Sequence, residues 1–95
     1  MIAVKVTLNG ITVDGHAGYA EHGKDIVCAS VSVLTQNLIN SIEALTKDRI
    51  SYEVTPAQIH IDYENLSEKS KLLIDSFFIG VSEIQRAYPK YVQVI

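Results

Sequence analysis

The chain has 95 residues, of which 47% are hydrophobic, and its 11 acidic and 8 basic side chains give a formal net charge of -3. This length predicts one small domain over residues 1–95, and the apolar content argues against disorder. The negative charge argues against direct binding of nucleic acid, and the lack of a long apolar run argues against a membrane span. A single cysteine cannot form an internal disulfide, and an N-terminus without signal-peptide features predicts a cytoplasmic protein.

The first segment predicts a β-hairpin around Asn9-Gly10. Apolar residues occupy every second position on both sides of this pair: Ile2, Val4, Val6, Leu8, Ile11 and Val13. Asn-Gly favours a two-residue type I′ turn, which would pair Leu8 with Ile11. The same register puts His16 on the polar face of the hairpin, away from a helix that covers the apolar face. A bend at Gly15 would turn His16 toward that helix, and the sequence leaves this point open.

Residues 17–24 predict a mobile loop, because they contain Gly18 and Gly23 and no apolar periodicity. Tyr19 is the only side chain there that is large enough to pin the loop. After it, the span Ile26 to Leu45 predicts a helix, and Asp25 has the character of its N-cap. Its apolar residues step by three and four along one buried stripe: Val27, Val31, Leu34, Leu38, Ile42 and Leu45.

The only cysteine, Cys28, falls in the first turn of this predicted helix. There the unpaired amides and the positive end of the helix dipole favour a thiolate. His16 precedes Cys28 by 12 residues and could return across the loop as a general base, and His22 in the loop competes for that role. Ser32 lies one turn beyond Cys28 on the same face and could support the site. Backbone amides at the helix start are the expected donors to an oxyanion.

Residue types alone leave other interpretations open. A lone cysteine near a helix start is more often a small buried side chain than a nucleophile. Asp25 could cap the helix or orient His16, and of these two roles the cap is favoured. The set of His16, His22, Asp25 and Cys28 lacks the paired short spacings of structural zinc sites, so neither a metal nor another cofactor is expected.

The second half of the chain predicts a hairpin, a helix and a short tail. Alternating apolar residues flank Pro56-Ala57-Gln58, with Tyr52 and Tyr63 expected in the core and His60 solvated near Glu53 or Glu64 on the outer face. The next helix has Asn65 and Ser67 as candidate caps and ends at Tyr88-Pro89. Its predicted stripe comprises Leu73, Ile74, Phe77, Phe78, Val81, Ile84 and Tyr88. Gly80 within it suggests close packing.

The predicted fold class is α+β. The elements follow the order ββαββα, and residues 91–95 form a possible C-terminal edge strand. Because both helices are amphipathic and both hairpins have one apolar face, we expect a two-layer α/β sandwich with the helices on one face of a mostly antiparallel sheet.

The motif around the cysteine resembles the ribosomal-processing cysteine protease family (Prp). It consists of Gly15-His16-Ala17, a glycine-containing loop, and the run Asp-Ile-Val-Cys-Ala-Ser-Val-Ser over 25–32. The similarity extends over essentially the whole chain, and its specificity lies in this window. The resemblance implies that His16 and Cys28 form the catalytic dyad, and that Asp25 and Ser32 occupy further motif positions.

The same resemblance implies a function. It predicts a site-specific endopeptidase that removes the N-terminal extension of a large-subunit bacterial ribosomal protein during ribosome maturation. The extension would end in an apolar and aromatic segment, and the enzyme would act as a homodimer. Two alternatives use the same residues: a non-catalytic binding module in ribosome assembly, and another thiol-dependent acyl hydrolase such as a thioesterase.

Overall fold

The computed structural model describes all residues from Met1 to Ile95. The elements in chain order are β1 (Ile2–Val6), β2 (Gly10–Asp14), α1 (Ile26–Leu45), β3 (Ile50–Thr55), β4 (Gln58–Tyr63), α2 (Glu68–Ala87) and β5 (Val92–Val94). The five strands form one sheet in the order β3-β4-β2-β1-β5. All neighbours are antiparallel except β1 and β5, which are parallel. The predicted fold class and element order are confirmed, including the C-terminal edge strand.

The two helices pack on each other and enclose the core against one face of the sheet. Gly80 of α2 allows this, since a Cβ atom there would lie 2.9 Å from a methyl of Leu34 on α1. The close packing predicted at Gly80 is therefore confirmed. Leu45, predicted in the buried stripe, is 64% exposed because it is the last residue of α1. Neither helix has the length and apolar character needed to cross a bilayer.

The predicted register of the first hairpin is wrong by two residues. Val6, not Leu8, pairs with Ile11, and the Thr7 amide donates to the Gly10 carbonyl at 2.8 Å, so the turn lies one residue earlier and Leu8 is 90% exposed at its tip. Gly10 has another reason to be glycine: a Cβ there would lie 2.7 Å from the Ile61 carbonyl oxygen of β4. The long-range pairing with β4 thus decides the register.

The second hairpin lies at the edge of the sheet, and this changes the environment of one tyrosine. Tyr63 is buried as predicted, and its hydroxyl donates to the carbonyl of Thr7 at 2.9 Å. Tyr52 is 47% exposed, because its strand β3 is the outermost one. The expectation that Tyr52 lies in the core is therefore wrong.

His60 takes the outer-face position that the alternation predicts. It lies opposite Glu53, as expected, but its ring hydrogen-bonds to Thr12 Oγ1 at 3.0 Å and to Asp62 Oδ1 at 2.9 Å. The hydrogen-bonding carboxylate is therefore that of Asp62, because residues two apart on a strand share one face.

The start of α2 is held by Asp48, a residue 19 positions before Ser67 in the chain. Ser67 occupies the N-cap position, but its side chain makes no capping bond and its hydroxyl donates to Asp48 at 2.6 Å. The Asp48 carboxylate also accepts from the Ser67 amide at 2.9 Å and from the buried Ser70 hydroxyl. The hydroxyl of Ser67, together with these other donors, holds the pKa of Asp48 below its ordinary value of 3.8. Ser67 is therefore the N-cap residue, as predicted, but its side chain does not form the capping bond, and Asp48 holds the start of α2 through Ser67 and Ser70.

Candidate active site

The first turn of α1 is capped by Asp25, as predicted. Its Oδ1 accepts from the amides of Val27 at 3.0 Å and Cys28 at 2.9 Å. Asp25 itself is extended, with φ −84° and ψ 100°, the conformation usual for a capping residue. Asp25 forms no hydrogen bond with His16, so the geometry supports the capping role over the orienting one.

The second carboxylate oxygen of Asp25 ties the preceding loop to the helix. Oδ2 accepts from the amides of Tyr19 at 3.0 Å and Ala20 at 3.4 Å. The Cys28 amide, together with those of Ala20, Tyr19 and Val27, holds the pKa of Asp25 below its ordinary value of 3.8. One carboxylate therefore joins the loop to the first turn of α1.

This cap changes the expected oxyanion donors. The amides of Val27 and Cys28 already donate to Asp25, and the Ala29 amide donates to the Asp25 carbonyl at 3.0 Å. These donors at the helix start are thus engaged within the protein. The expectation that they bind an oxyanion is not supported by this arrangement.

A glycine at the end of β2 redirects the chain toward α1. Gly15 has φ +95°, and its amide donates to the carbonyl of Ala57 in the turn between β3 and β4 at 2.8 Å. A Cβ at this position would lie 2.5 Å from the Met1 carbonyl oxygen, so another residue would be strained and also obstructed. The bend left open by the sequence is therefore present, and it lies directly before His16.

The bend brings the loop backbone onto the cysteine. The amide of Ala17 donates to Cys28 Sγ at 3.2 Å, and Ala17 itself is 4% exposed. A backbone N–H donor at this position stabilises negative charge on the sulfur. The Cα of His16 is only two covalent bonds from the Ala17 nitrogen, so the backbone of His16 lies beside the thiol. His16 and Cys28 are not hydrogen-bonded to each other in this state.

His16 and Cys28 both line an open cleft of about 720 Å³. The other predicted site residues on its wall are Gly18, His22, Gly23, Asp25 and Ser32. The volume lies within the range of about 300–1,000 Å³ that is typical of ligand sites. Tyr19 is the exception, because its ring points away from the cleft toward Tyr88 and Tyr91.

Sequence reasoning missed the opposite wall of this cleft. The turn of the second hairpin and the strand ends beside it, residues 54–59, face the N-terminal half of α1 and supply apolar surface from Val54, Pro56 and Ile59. Gln36, two turns beyond Cys28, also lines the cleft and was not singled out. Its spacing of four from Ser32 was the available signal, since Cys28, Ser32 and Gln36 follow one ridge of the helix.

The cleft contains two histidines, and geometry distinguishes them. The backbone of His16 is held next to the sulfur through Ala17. His22, which is exposed like His16, lies in the distal part of the loop, where the Lys24 amide donates to the Glu21 carbonyl at 3.0 Å. The backbone of His16 is therefore tied to the Cys28 sulfur through the next residue, and no such contact ties His22 to it.

A first prediction concerns Asp25. We expect Asp25→Ala to melt at a lower temperature than the unchanged protein at neutral pH, and to lose activity by up to about 100-fold because the loop is misplaced. A depressed native pKa contributes stability that is complete above the unfolded value of 3.8 and is lost as the pH falls through the native pKa. The difference in melting temperature should therefore shrink on acidification below 3.8.

Asp25→Asn is the matched control for that experiment. An asparagine keeps one acceptor for the helix cap, but its amide group cannot also accept from Tyr19 and Ala20. We expect Asp25→Asn to lower the melting temperature less than Asp25→Ala does, but still to lose activity. Full activity in Asp25→Asn would show that the loop contact has no role in turnover.

Comparison with known proteins places this geometry in a family. A sequence model described as "Cysteine protease Prp" matches residues 1–93. The ribosomal processing cysteine protease Prp of Staphylococcus aureus strain Mu50 is 28% identical, over 99% of this chain and 97% of the relative. Prp of Bacillus subtilis strain 168 is 26% identical, over 84% of this chain and 78% of the relative.

Solved structures agree with this relation. The S. aureus protease Prp with a covalently linked product peptide has a TM-score of 0.94 at 25% identity, covering 99% of this chain and 97% of that one. The protein SMU.848 of Streptococcus mutans has a TM-score of 0.83 at 31% identity, covering 99% and 91%. The family sequence model spans nearly the whole chain, and the matched structures cover the sheet, both helices and the cleft. The chain therefore belongs to the cysteine protease Prp family.

Proposed function

We propose that this protein is a site-specific cysteine endopeptidase that removes the N-terminal extension of a large-subunit bacterial ribosomal protein. The observation that carries the proposal is the Ala17 amide on Cys28 Sγ, which places the backbone of His16 beside a thiol in an open cleft. The curated relatives are ribosomal processing proteases, and this supports the choice of substrate.

In the proposed first step, His16 takes the proton from the Cys28 thiol. The sulfur then forms a bond with the carbonyl carbon of the scissile peptide, and the carbonyl electron pair moves onto oxygen. As negative charge leaves the sulfur, the Ala17 amide becomes available to the new oxyanion, which forms next to that sulfur. Ala17 thus replaces the helix-start amides as the oxyanion donor in this mechanism.

The second half returns the enzyme to its starting state. The imidazolium of His16 gives its proton to the leaving nitrogen, the C–N bond breaks, and a thioester remains on Cys28. Water, deprotonated by His16, attacks the thioester carbonyl, and the C–S bond breaks to release the carboxyl product. The sulfur then regains its proton, and no cofactor or redox partner takes part.

The cleft suggests how an extended peptide would lie. From Cys28 to Gln36 the helix rises about 12 Å, which matches roughly three to four extended residues. Ser32 and Gln36 are exposed along this ridge and suit the peptide's backbone groups. The apolar wall formed by Val54 and Ile59 suits apolar side chains of the extension.

We also propose that substrate completes the order of the loop. All residues from Gly18 to Lys24 are exposed. Gly18 and Gly23 have positive φ values, and a Cβ at either position would have no other atom within 4 Å. Closure over a bound peptide would turn the His16 side chain toward the sulfur and shield the acylation step from bulk water.

The proposed working form is a cytoplasmic homodimer. The helix α1 supports an interface, since it carries no charged residue from Ile26 to Ile42 while Ile26 and Val33 on one face are 53% and 67% exposed. Charged residues are depleted at the centres of protein interfaces. Sedimentation velocity should then give a mass of twice 10.5 kDa.

The substrate is tested by incubating the purified protein with a precursor ribosomal protein that carries its extension. We expect mass spectrometry to show one cut and the new N-terminus of the mature protein. A precursor with the residues around that cut replaced serves as the matched control and should stay intact. No cut in the natural precursor, from a protein that cleaves other peptides, would contradict the proposed substrate.

The two alternatives predict different results. A binding module would leave the precursor intact and would show alkylation of Cys28 at neutral pH at the rate of an ordinary half-buried thiol. An acyl hydrolase would turn over a thioester of the same acyl segment and leave the peptide uncut. Rapid alkylation together with peptide cleavage supports the protease.

A further inference from the structure

A cluster of three tyrosines lies outside the cleft and joins distant parts of the chain. The ring of Tyr19, in the loop, packs edge-on against Tyr88 with centroids 5.5 Å apart and an interplanar angle of 81°. It packs in the same way against Tyr91, at 5.2 Å and 79°. We refer to Tyr88 and Tyr91 as the aromatic cradle. Both are half-buried and pack against the core.

The aromatic cradle is held firmly by the backbone around it. Tyr88 follows the last residue of α2, and its carbonyl accepts from the amides of Tyr91 at 3.0 Å and Val92 at 3.2 Å. The Tyr91 carbonyl accepts from the Ile2 amide of β1 at 2.9 Å. The cradle is thus anchored to the end of α2 and to the start of β1, whereas the loop that packs on it is exposed.

Tyr19 connects this cradle with the reacting groups. Its ring lies between Tyr88 and Tyr91, while its amide donates to Asp25 at 3.0 Å. Ala17, whose amide contacts the Cys28 sulfur, precedes it by two residues, and His16 by three. Two contacts of Tyr19 therefore hold the loop, its ring on the cradle and its amide on Asp25. They lie just after Ala17, whose amide contacts the Cys28 sulfur.

We propose that Tyr88 and Tyr91 are positioning residues for the protease. They hold Tyr19, and through it the His16–Ala17 backbone, where the imidazole can reach Cys28 and the Ala17 amide can meet the sulfur and the oxyanion. The proposal rests on the proposed roles of His16 and Cys28. It gives the C-terminal segment, more than 50 residues from the cysteine along the chain, a part in the reaction.

The expected effect follows from the strength of the contacts. Edge-to-face pairs contribute beyond their buried area, so the loss of one such pair shifts the population of the placed loop by about 2- to 10-fold. Since the loop buries little else, removal of the Tyr19 ring should reduce kcat by roughly tenfold or more. KM should change by less than about twofold, because the ridge and the apolar wall that bind the peptide are untouched.

The test compares three leucine variants and one rescue. Tyr19→Leu and Tyr91→Leu should both reduce kcat in precursor cleavage, and Tyr91→Phe, which keeps the ring, should restore it. Tyr52→Leu is the matched control, because Tyr52 is about as exposed as Tyr19 and does not line the cleft. A loss in Tyr52→Leu equal to that in Tyr19→Leu would overturn the proposal.

A double variant separates positioning from general stability. If the cradle acts through Tyr19, then Tyr91→Leu should reduce kcat only in the presence of Tyr19 and have little further effect in Tyr19→Leu. An equal reduction in both backgrounds would mean that Tyr91 acts through the core, and the positioning role would be wrong.

Hydrogen exchange provides a readout that does not depend on turnover. The amides of Ala17, Tyr19 and Ala20 should exchange faster in Tyr91→Leu, with α1 unchanged, and return to slow exchange in Tyr91→Phe. If these amides exchange at the same rate in Tyr91→Leu as in the unchanged protein, the proposed role of the cradle is wrong. If the unchanged protein fails to cleave any precursor, the proposed substrate is wrong, while the exchange result still decides whether the cradle holds the loop.

Discussion

Replacement of Cys28 with alanine should abolish precursor cleavage, with a loss of at least about 10⁴-fold, while the fold is kept. The side chain lies half-buried in the first turn of α1, where its sulfur accepts the Ala17 amide at 3.2 Å. No other thiol is present to form the thioester, since Cys28 is the only cysteine. The loss of one small, partly exposed group costs much less stability than the loss of a core leucine. Intact-mass kinetics and a thermal melt measure the two effects together.

Ser30→Ala is the matched control for this substitution. Ser30 lies on the same helix two residues away, is exposed, and donates to the Ile26 carbonyl at 2.6 Å without lining the cleft. We expect Ser30→Ala to cleave the precursor at the rate of the unchanged protein. Cleavage that persists in Cys28→Ala would rule out Cys28 as the nucleophile and with it the proposed mechanism.

The second large effect is expected from His16→Ala, which should lower kcat by about 10²- to 10⁴-fold. In the mechanism, His16 handles the proton at the sulfur, at the leaving nitrogen and at the attacking water. The substituted enzyme keeps the Ala17 amide and the cleft walls, so KM should stay close to its original value. Steady-state kinetics with a precursor peptide give both constants.

His22→Ala provides the comparison, because His22 is exposed in the same cleft and has the same chemistry available. Its backbone is not held next to the sulfur, so we expect a decrease of less than about tenfold. A larger decrease in kcat for His22→Ala than for His16→Ala would mean that His22, in the distal loop, is the base. It would also mean that the loop rearranges more than the Ala17 contact suggests.

Local features of the chain were predictable because they depend on short-range rules. The helix α1 runs over the predicted span with the predicted cap, since the apolar period and the Asp25 carboxylate both act within a few residues. The spacing of 12 residues left open whether His16 reaches Cys28, and the pairing of the two was implied by the family resemblance; in the structure both residues line one cleft. The bend at Gly15 did not follow from the local sequence, because its backbone is set by contacts with Met1 and Ala57.

Errors arose where distant segments decide the outcome. The Asn9-Gly10 pair favours a type I′ turn by itself, but Gly10 is packed against the Ile61 carbonyl of β4, and that contact sets the register. Tyr52 has the alternation of a core residue and lies exposed, because only the strand order places β3 outside the cover of the helices. Alternation identifies a face of a strand without saying whether anything covers it.

The active site shows the same difference between features that depend on the local sequence and features that depend on tertiary contacts. The sequence by itself determined the nucleophile candidate, the base candidate and the cap, since all three lie within one short motif around the first turn of α1. Only the tertiary structure decided that Asp25 also binds the loop amides of Tyr19 and Ala20, that Ala17 meets the sulfur, and that residues 54–59 form the second wall. It also decided that Tyr19 lies between Tyr88 and Tyr91. The second wall and the tyrosine contacts join segments that are far apart in sequence, and the packing of the sheet and helices selects their partners, which no local periodicity encodes.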